Sequence, residues 1–466
     1  MAPATLLPNA ESPHPNPTPH SGGGNGTGQR QETRGDVAIA DIESLNYDGR
    51  GVARIDGKVT FIEGALPGER VRFRYHNKRP SFDTGAVQEV LRPSPDRVAP
   101  PCPHFGICGG CSLQHLQPAA QLTALQQVLA DTLTHVGRVQ PERWLAPLAG
   151  PASGYRRRAR LGARNVPKKG GVLVGFREKR RSYITPLDAC VTLDRRVSAL
   201  LPALRELIAG LSIPDRIPQI EVACGDNAVT LVFRHLQPLT ADDRARLTAF
   251  ANAHSVQVYL QPAGPESAVP LWPQPPATLH YHLAESDVTL AFEPTDFIQV
   301  NAAVNRKLVS QALALLELQP SDTLLDLFCG LGNFTLAAAR RAGRVIGMEA
   351  EEGLVRRARA NAAANGIANA EFAVADLYAS PISFSVPDAF KLLLDPPRAG
   401  AIEVLKHLCQ RPPVRIVYVS CNPATLARDA EYLVNAAAYR FEAAGVADMF
   451  PHTSHVESIA LFTRDG

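Results

Sequence analysis

Hydrophobic and polar positions follow two different patterns along this chain. Between Asp36 and about Val90, short runs mixing apolar and polar residues (Val37–Ala40, Gly51–Ile55, Lys58–Ile62, Arg70–Tyr75, Gly85–Val90) are separated by Asp-Gly and Pro-Gly turns. Such runs predict five short strands and a small β-barrel over residues 35–97. From Phe292 onward the runs are compactly apolar: Thr323–Phe328, Arg344–Glu349, Glu371–Val374, Lys391–Asp395 and Ile416–Ser420, with helical stretches between them and Ser458–Phe462 near the end. Buried strands alternating with helices predict a Rossmann-like α/β domain over 292–466, a doubly wound and mostly parallel sheet with an antiparallel edge. The intervening piece, 98–291, carries a helical stretch near Gln121–Val136 among mixed strands and turns and reads as a central α+β domain. Residues 1–34 are rich in Pro, Gly, Ser, Asn and Thr and predict a disordered tail.

Composition narrows the class. A chain of 466 residues with 45% hydrophobic and 20% charged residues suits two to four globular domains. No apolar run approaches the roughly 20 residues that span a bilayer, and the first residues lack a basic-then-apolar leader, so the expectation is a cytoplasmic protein. Net charge is only +3, yet Arg156–Arg181 holds eleven Lys or Arg against one acid, Glu178. A local excess of this size on an otherwise mildly acidic chain predicts an anionic partner bound at one place. Tyr155, Phe176 and Tyr183 within or beside it add ring faces for stacking, a combination that suits RNA. Nothing in the sequence points to an obligate protein partner.

Three strand-to-loop junctions carry the candidate chemistry, and a parallel sheet would align them on its ligand-binding edge. Asp326 to Asn333 follows a strand and precedes a helix, and Gly330 and Gly332 let the backbone turn sharply beneath a ligand. Glu349 ends the next strand 23 residues after Asp326, where a carboxylate accepts hydrogen bonds from both ribose hydroxyls of a nucleoside. Asp376, after the third strand, lies where adenine would be. A dinucleotide site would carry a third glycine three residues beyond Gly332; Thr335 stands there, which favours S-adenosylmethionine. The third junction holds Cys421, which closes Arg415–Ser420 and opens the turn Asn422-Pro-Ala-Thr425, so its thiol is presented rather than packed.

The motifs Asp395-Pro-Pro-Arg398-Ala-Gly, Ser420-Cys421-Asn422-Pro423 and His455-Val-Glu457-Ser458 resemble, in this order, the signatures of the RNA uracil-C5 methyltransferases. Residues 36–90 resemble a TRAM domain, so the resemblance extends over nearly everything after the tail. It implies a class I S-adenosylmethionine-dependent fold and a covalent mechanism, because C5 of uracil is a weak carbon nucleophile until a thiolate adds at C6. By resemblance Cys421 is that nucleophile and Glu457 the base that removes the C5 proton, while Asp395 and Arg398 read the uracil edge. Gln299, Phe328, Asn333 and Asp395 inherit cofactor contacts and Phe297 a place near the target base. A target uridine would be flipped out to reach the thiol.

Cys102, Cys108 and Cys111 crowd a loop containing Gly106, Gly109 and Gly110, and Cys190 lies just past the basic segment. The spacing permits tetrahedral zinc or an iron–sulfur cluster. The resemblance favours a [4Fe-4S] centre on these four, with zinc the alternative. Cys224, Cys329 and Cys409 read as structural. Barrel, cysteine cluster and methyltransferase sheet together point to a 23S rRNA uridine as substrate, since the tRNA enzymes are expected to lack the first two. The competing expectations are the same chemistry on tRNA or another rRNA uridine, and a non-catalytic RNA-binding assembly factor that retains the fold. Intact Cys421 and Glu457 argue against the last.

Overall fold

The computed structural model describes residues 35–379, 384 and 386–464, so the expected tail at 1–34 lies outside the described residues. Strands Val37–Asp41, Ser44–Leu45, Gly51–Ile55, Lys58–Glu63, Arg70–Lys78 and Phe82–Arg92 form one sheet in the order first, fifth, sixth, fourth, third, second. The two edge strands follow each other directly in the chain, and Glu43 N donates to Val52 O at 2.8 Å, so the sheet curls into a barrel. Ala40, Ala53, Ile62, Val71 and Phe73 fill its interior. The five expected strands are present. The sixth, Ser44–Leu45, is too short to leave a pattern.

A second six-stranded sheet contains the basic segment as a hairpin, Arg158–Val166 with Gly171–Gly175. Backbone bonds Gly109 N to Arg177 O and Lys179 N to Ile107 O, both 2.8 Å, join the cysteine loop to this segment. A Cβ at Gly109 would stand 2.9 Å from Arg177 O, so only glycine allows that approach.

The third sheet comprises β1 (Thr323–Leu327), β2 (Arg344–Glu349), β3 (Ala370–Val374), β4 (Lys391–Leu394), β5 (Arg415–Ser420), β6 (Arg440–Ala447) and β7 (Glu457–Thr463). Their order is β3-β2-β1-β4-β5-β7-β6, with β1 to β5 parallel and β7 antiparallel to both neighbours. Successive side chains on a strand point to opposite faces, and the apolar residues divide accordingly. Leu324, Leu393, Val417 and Val419 join one core with the helix Ala302–Leu316. Leu325, Leu327, Leu392, Leu394, Ile416 and Tyr418 join the other with Pro423–Asn435. Elements before residue 292 complete this layer: helix Pro118–Thr132 packs Leu125, Val128 and Leu129 into the second core, and Arg143–Trp144 pairs with β6 at the far edge. Among the described residues no helix is long and apolar enough to cross a membrane.

Candidate active site

The register of two strands brings Cys421 and Glu457 together. Ser420 of β5 lies opposite Ser458 of β7, and Ser458 Oγ donates to Ser420 O at 3.0 Å, so Cys421 and Glu457 come side by side one step beyond that pair, at the carboxyl edge of β5. Asn422 then starts the helix Pro423–Asn435: its Oδ1 accepts from Ala424 N at 3.1 Å, and the following proline is preorganised for the first turn. Asn422 Nδ2 and Thr425 Oγ1 both donate to Arg398 O, at 2.9 and 3.3 Å. Further along the same loop, Asp429 accepts from Ala401 N and the Tyr418 hydroxyl, each at 2.7 Å. The segment after β4 is thereby fastened to the helix after β5.

Burial shifts the acidic groups around the thiol toward their protonated forms. Burial, and then the carboxyls of Glu457 and Asp395, push the Cys421 thiol up to about 11, with the Arg398 charge opposing. Burial and then Asp395 raise buried Glu457 well above the usual carboxylate range. Asp395 rises to about 7 through burial, against a 3.4 Å bond from Gln299 Nε2. Arg398 Nη2 stands 3.2 Å from His455 Nδ1.

A second set of groups surrounds the turn after β1. Gly330 and Gly332 have φ of +53° and +89°, and a Cβ on Gly330 would meet nothing within 4 Å, so the loop leaves open space above it. Phe328 adopts φ of +64°, a conformation unfavourable for a bulky residue and characteristic of functional sites. Its ring centroid lies 5.6 Å from that of Tyr378. The Glu349 carboxylate, at the end of β2, accepts backbone N–H bonds from Gly330 (3.1 Å), Ala350 (2.7 Å) and Glu351 (3.1 Å). Asp376 is exposed in the loop after β3 and accepts from Tyr378 N at 2.9 Å. Asn333 differs from a free ligand contact: its amide is reciprocally bonded to Asn305 at 2.9 and 3.0 Å, and it accepts from the Tyr281 hydroxyl at 3.0 Å. Phe297 is 72% exposed.

Asp326 lies beneath this loop, fully buried, with Thr335 Oγ1 bonded to Oδ2 and Oδ1 without a partner in the structure. Burial, with the charges of Asp395 and Glu349 adding and the Thr335 bonds opposing, raises it to about 7. Its folded-state pKa exceeds the unfolded value, so the fold disfavours its carboxylate. Its contribution to stability is greatest below about pH 4 and falls as pH rises toward 7. Asp326→Asn does not titrate. The variant is expected to gain stability relative to the wild type between pH 4 and 8, on the order of 2–4 kcal/mol, read from denaturant unfolding at both pH values.

The four cysteines expected to ligate a centre are brought near one another. Burial pushes Cys111 up to about 12, with Cys190, Cys108 and Cys102 each adding; burial also raises Cys108, with Cys190 and Cys102 contributing. Among the described residues, no group of three or more His, Cys, Asp or Glu is arranged to hold a metal ion. Cys224 and Cys329 are buried, in keeping with structural roles.

Beside this loop a cleft of about 1350 Å³ runs between the barrel, the cysteine loop and the basic hairpin, and reaches His455. Arg156, Arg160, Arg164, Arg177 and Lys179 line it. Part of the segment's charge is neutralised internally: Arg157 pairs with Asp226, Arg158 and Arg160 with Glu221, and Lys179 and Arg180 with Glu63 of the barrel. Tyr155 corrects an expectation. It is 5% exposed with its hydroxyl on Pro451 O at 2.9 Å, so it serves the core and presents no stacking face, unlike Tyr183 at 51% exposed. Tyr378 and His455 received no role from the sequence. The first stands two residues after Asp376 and the second lies within the His-Val-Glu motif, signals that a closer reading of those motifs offers.

An open sheet with a glycine turn after its first strand, a carboxylate ending its second and a thiol at its edge defines a class I S-adenosylmethionine-dependent methyltransferase. The chain belongs to the tRNA (uracil-5-)-methyltransferase family, whose pattern it matches over residues 148–383 and 382–465, with a TRAM domain matched over 31–74. It is 55% identical to the 23S rRNA (uracil(1939)-C(5))-methyltransferase RlmD of Aromatoleum aromaticum, over 92% of this chain and 100% of the relative. The RlmD of Acidithiobacillus ferrooxidans is 54% identical over 91% of this chain and 96% of its own. Among solved structures, the Pyrococcus abyssi tRNA (uracil-54, C5)-methyltransferase in complex with S-adenosyl-L-homocysteine superposes with a TM-score of 0.69 at 25% identity. It covers 91% of this chain and 100% of its own. That coverage extends into the barrel, so a barrel joined to this sheet also accompanies a tRNA enzyme, and the barrel does not by itself separate the two substrates.

Proposed function

We propose that this protein methylates C5 of a uridine in 23S rRNA. The observation that carries the chemistry is the antiparallel register that sets Cys421 and Glu457 side by side just beyond the Ser420–Ser458 pair, with the backbone at Arg398 fastened beside them. For the substrate, identity to the RlmD relatives is 54–55% over nearly the whole chain, against 25% to the tRNA enzyme.

When bound, S-adenosylmethionine supplies an electrophilic methyl on a sulfonium centre. Gly330 would give it room, Glu349 would take the ribose hydroxyls, Phe328 and Asp376 would border the adenine, and Gln299 and Asp395 would lie toward the methyl end. Asn333 acts through Asn305 and Tyr281 to hold the loop. Phe297 lies near the flipped base. Cys421 releases its proton to solvent, with Arg398 favouring the thiolate, and the thiolate adds to C6 and breaks the C5=C6 π bond. The electron pair moves onto C5 and O4, where Arg398 stabilises it. C5 takes the methyl group as its bond to the sulfonium sulfur breaks, which leaves a neutral thioether. Glu457, as carboxylate, then takes the C5 proton, the C5=C6 bond re-forms, and the sulfur–C6 bond breaks to free Cys421. When bound, the positive sulfonium would favour the carboxylates of Asp395 and Glu457, so that Glu457 can act as the base.

Cys102, Cys108, Cys111 and Cys190 form a four-thiol set whose chemistry fits a [4Fe-4S] cluster, with zinc the alternative. The convergence of their charges supports a shared centre, and the choice of cluster rests on the family resemblance. Its role is to hold the cysteine loop on the basic hairpin, since methyl transfer is redox-neutral. Protein isolated without oxygen is expected to carry about four iron and four sulfide per chain. Cys111→Ser should lose most of both and weaken RNA binding; one zinc per chain would select the alternative. The cleft lined by Arg156, Arg160 and Arg164 binds the RNA backbone, and the protein works in the cytoplasm.

The test is to incubate the protein with labelled S-adenosylmethionine and either unmodified 23S rRNA or bulk tRNA, then to map 5-methyluridine by digestion and mass spectrometry. Product at one 23S uridine supports the reading. Product in tRNA keeps the chemistry and reassigns the substrate, and RNA binding without product supports the assembly-factor reading.

A further inference from the structure

His455 Nδ1 lies 3.2 Å from Arg398 Nη2. A guanidinium has donors only and stays protonated, so this contact requires Nδ1 to accept: the imidazole is neutral and its proton is on Nε2. A second guanidinium, Arg156, also acts on the ring, and burial together with both charges lowers its affinity for a further proton. These two cations are the charged groups that face it; its other neighbour is the Phe450 ring, 5.1 Å away between centroids. The backbone is fixed as well, because His455 N donates to Thr453 Oγ1 at 3.3 Å and that hydroxyl donates to Phe450 O at 2.8 Å. His455 lies two residues before Glu457, and Arg398 three after Asp395. The contact therefore joins the loop leading to the proposed base to the loop reading the uracil, where the RNA cleft ends.

We infer that His455 is a positioning residue for the methylation step: in its neutral form it holds Arg398 against the target uracil, and its protonation releases Arg398. The inference rests on the proposed role of Arg398. A proton on Nδ1 removes the acceptor and places a third positive charge beside Arg398 and Arg156, so the effect is loss of activity on the acid side.

The experiment compares wild type, His455→Phe and His455→Asn for methylation of 23S rRNA from pH 5.5 to 8, with S-adenosylmethionine affinity and Tm measured alongside. Phenylalanine keeps the ring and removes the acceptor. Asparagine keeps an acceptor near the Nδ1 position and cannot gain the proton. His455→Phe is expected to lose about tenfold to a hundredfold in kcat/KM at neutral pH, with cofactor affinity unchanged. His455→Asn should recover most of that loss and fall less steeply than wild type below pH 6.5. Asp395, Glu457 and Cys421 titrate in all three proteins, so the difference between profiles isolates His455. Superimposable profiles for wild type and His455→Asn, or undiminished activity in His455→Phe, overturn the inference while the persisting methylation upholds the reading of the site. Should His455→Phe prove unstable by Tm, the comparison of wild type with His455→Asn decides alone. Absence of methylation from the wild type would refute the parent reading and this inference with it.

Discussion

Cys421→Ala is expected to lower methylation by at least about 10⁴-fold and to abolish any covalent bond between protein and RNA, with S-adenosylmethionine affinity and Tm near wild type. The magnitude follows from the chemistry: without addition at C6, C5 carries too little electron density to take a methyl group, and among the described residues no second thiol stands at the carboxyl edge of β5. Cys329, just past the end of β1, is buried at 5% exposure within the loop that follows that strand. Single-turnover assays, with gel electrophoresis under denaturing conditions for the adduct, provide both readouts. Methylation at a rate near wild type would remove Cys421 from the mechanism.

Glu457→Gln should fail later in the same sequence. Addition by Cys421 and methyl transfer do not need this carboxylate, whereas removal of the C5 proton does. The expected result is one round of methyl transfer followed by accumulation of a protein–RNA adduct that carries the labelled methyl, with steady turnover reduced about 10³-fold. The amide is close in size to the protonated carboxyl that burial favours, so folding should be retained. The two variants are mutually diagnostic, since one blocks the adduct and the other traps it. A Glu457→Gln protein that turns over freely, with no trapped RNA, would assign proton removal to another group.

Much of this architecture was legible because its signals are local. The strands β1, β4 and β5 are mostly apolar runs because both faces of the sheet are covered there, the edge strand β3 is half-exposed, and each strand from β1 to β5 is legible to within a residue or two. The five longer barrel strands were equally plain. Cys421, Asp395, Arg398 and Glu457 stand at the ends of such runs, where side chains leave the core. What was not legible depends on contacts between distant segments. Ser44–Leu45 and Arg143–Trp144 are two residues each, and no periodicity survives in so short a strand. Tyr155 looked like a stacking ring among arginines, yet Pro451, almost 300 residues away, takes its hydroxyl into the core. The +10 segment looked uniformly available to phosphate, but Glu63, Glu221 and Asp226 come from three other strands or turns to pair with five of its cations, two of them sharing each of Glu63 and Glu221.

The sequence by itself determined the class of fold, the chemistry at each strand end and the family, because strand burial, turn residues and motif order are properties of consecutive positions. Only the tertiary structure decided which of those groups share a site and in what protonation state. Glu457 reaches Cys421 through the antiparallel return of β7, Asn333 is claimed by Asn305 and Tyr281, and His455 meets Arg398 across 57 residues of chain. The reason is physical: a side chain's charge depends on the dielectric and the partners around it, and in a folded chain those partners come from segments far apart in sequence.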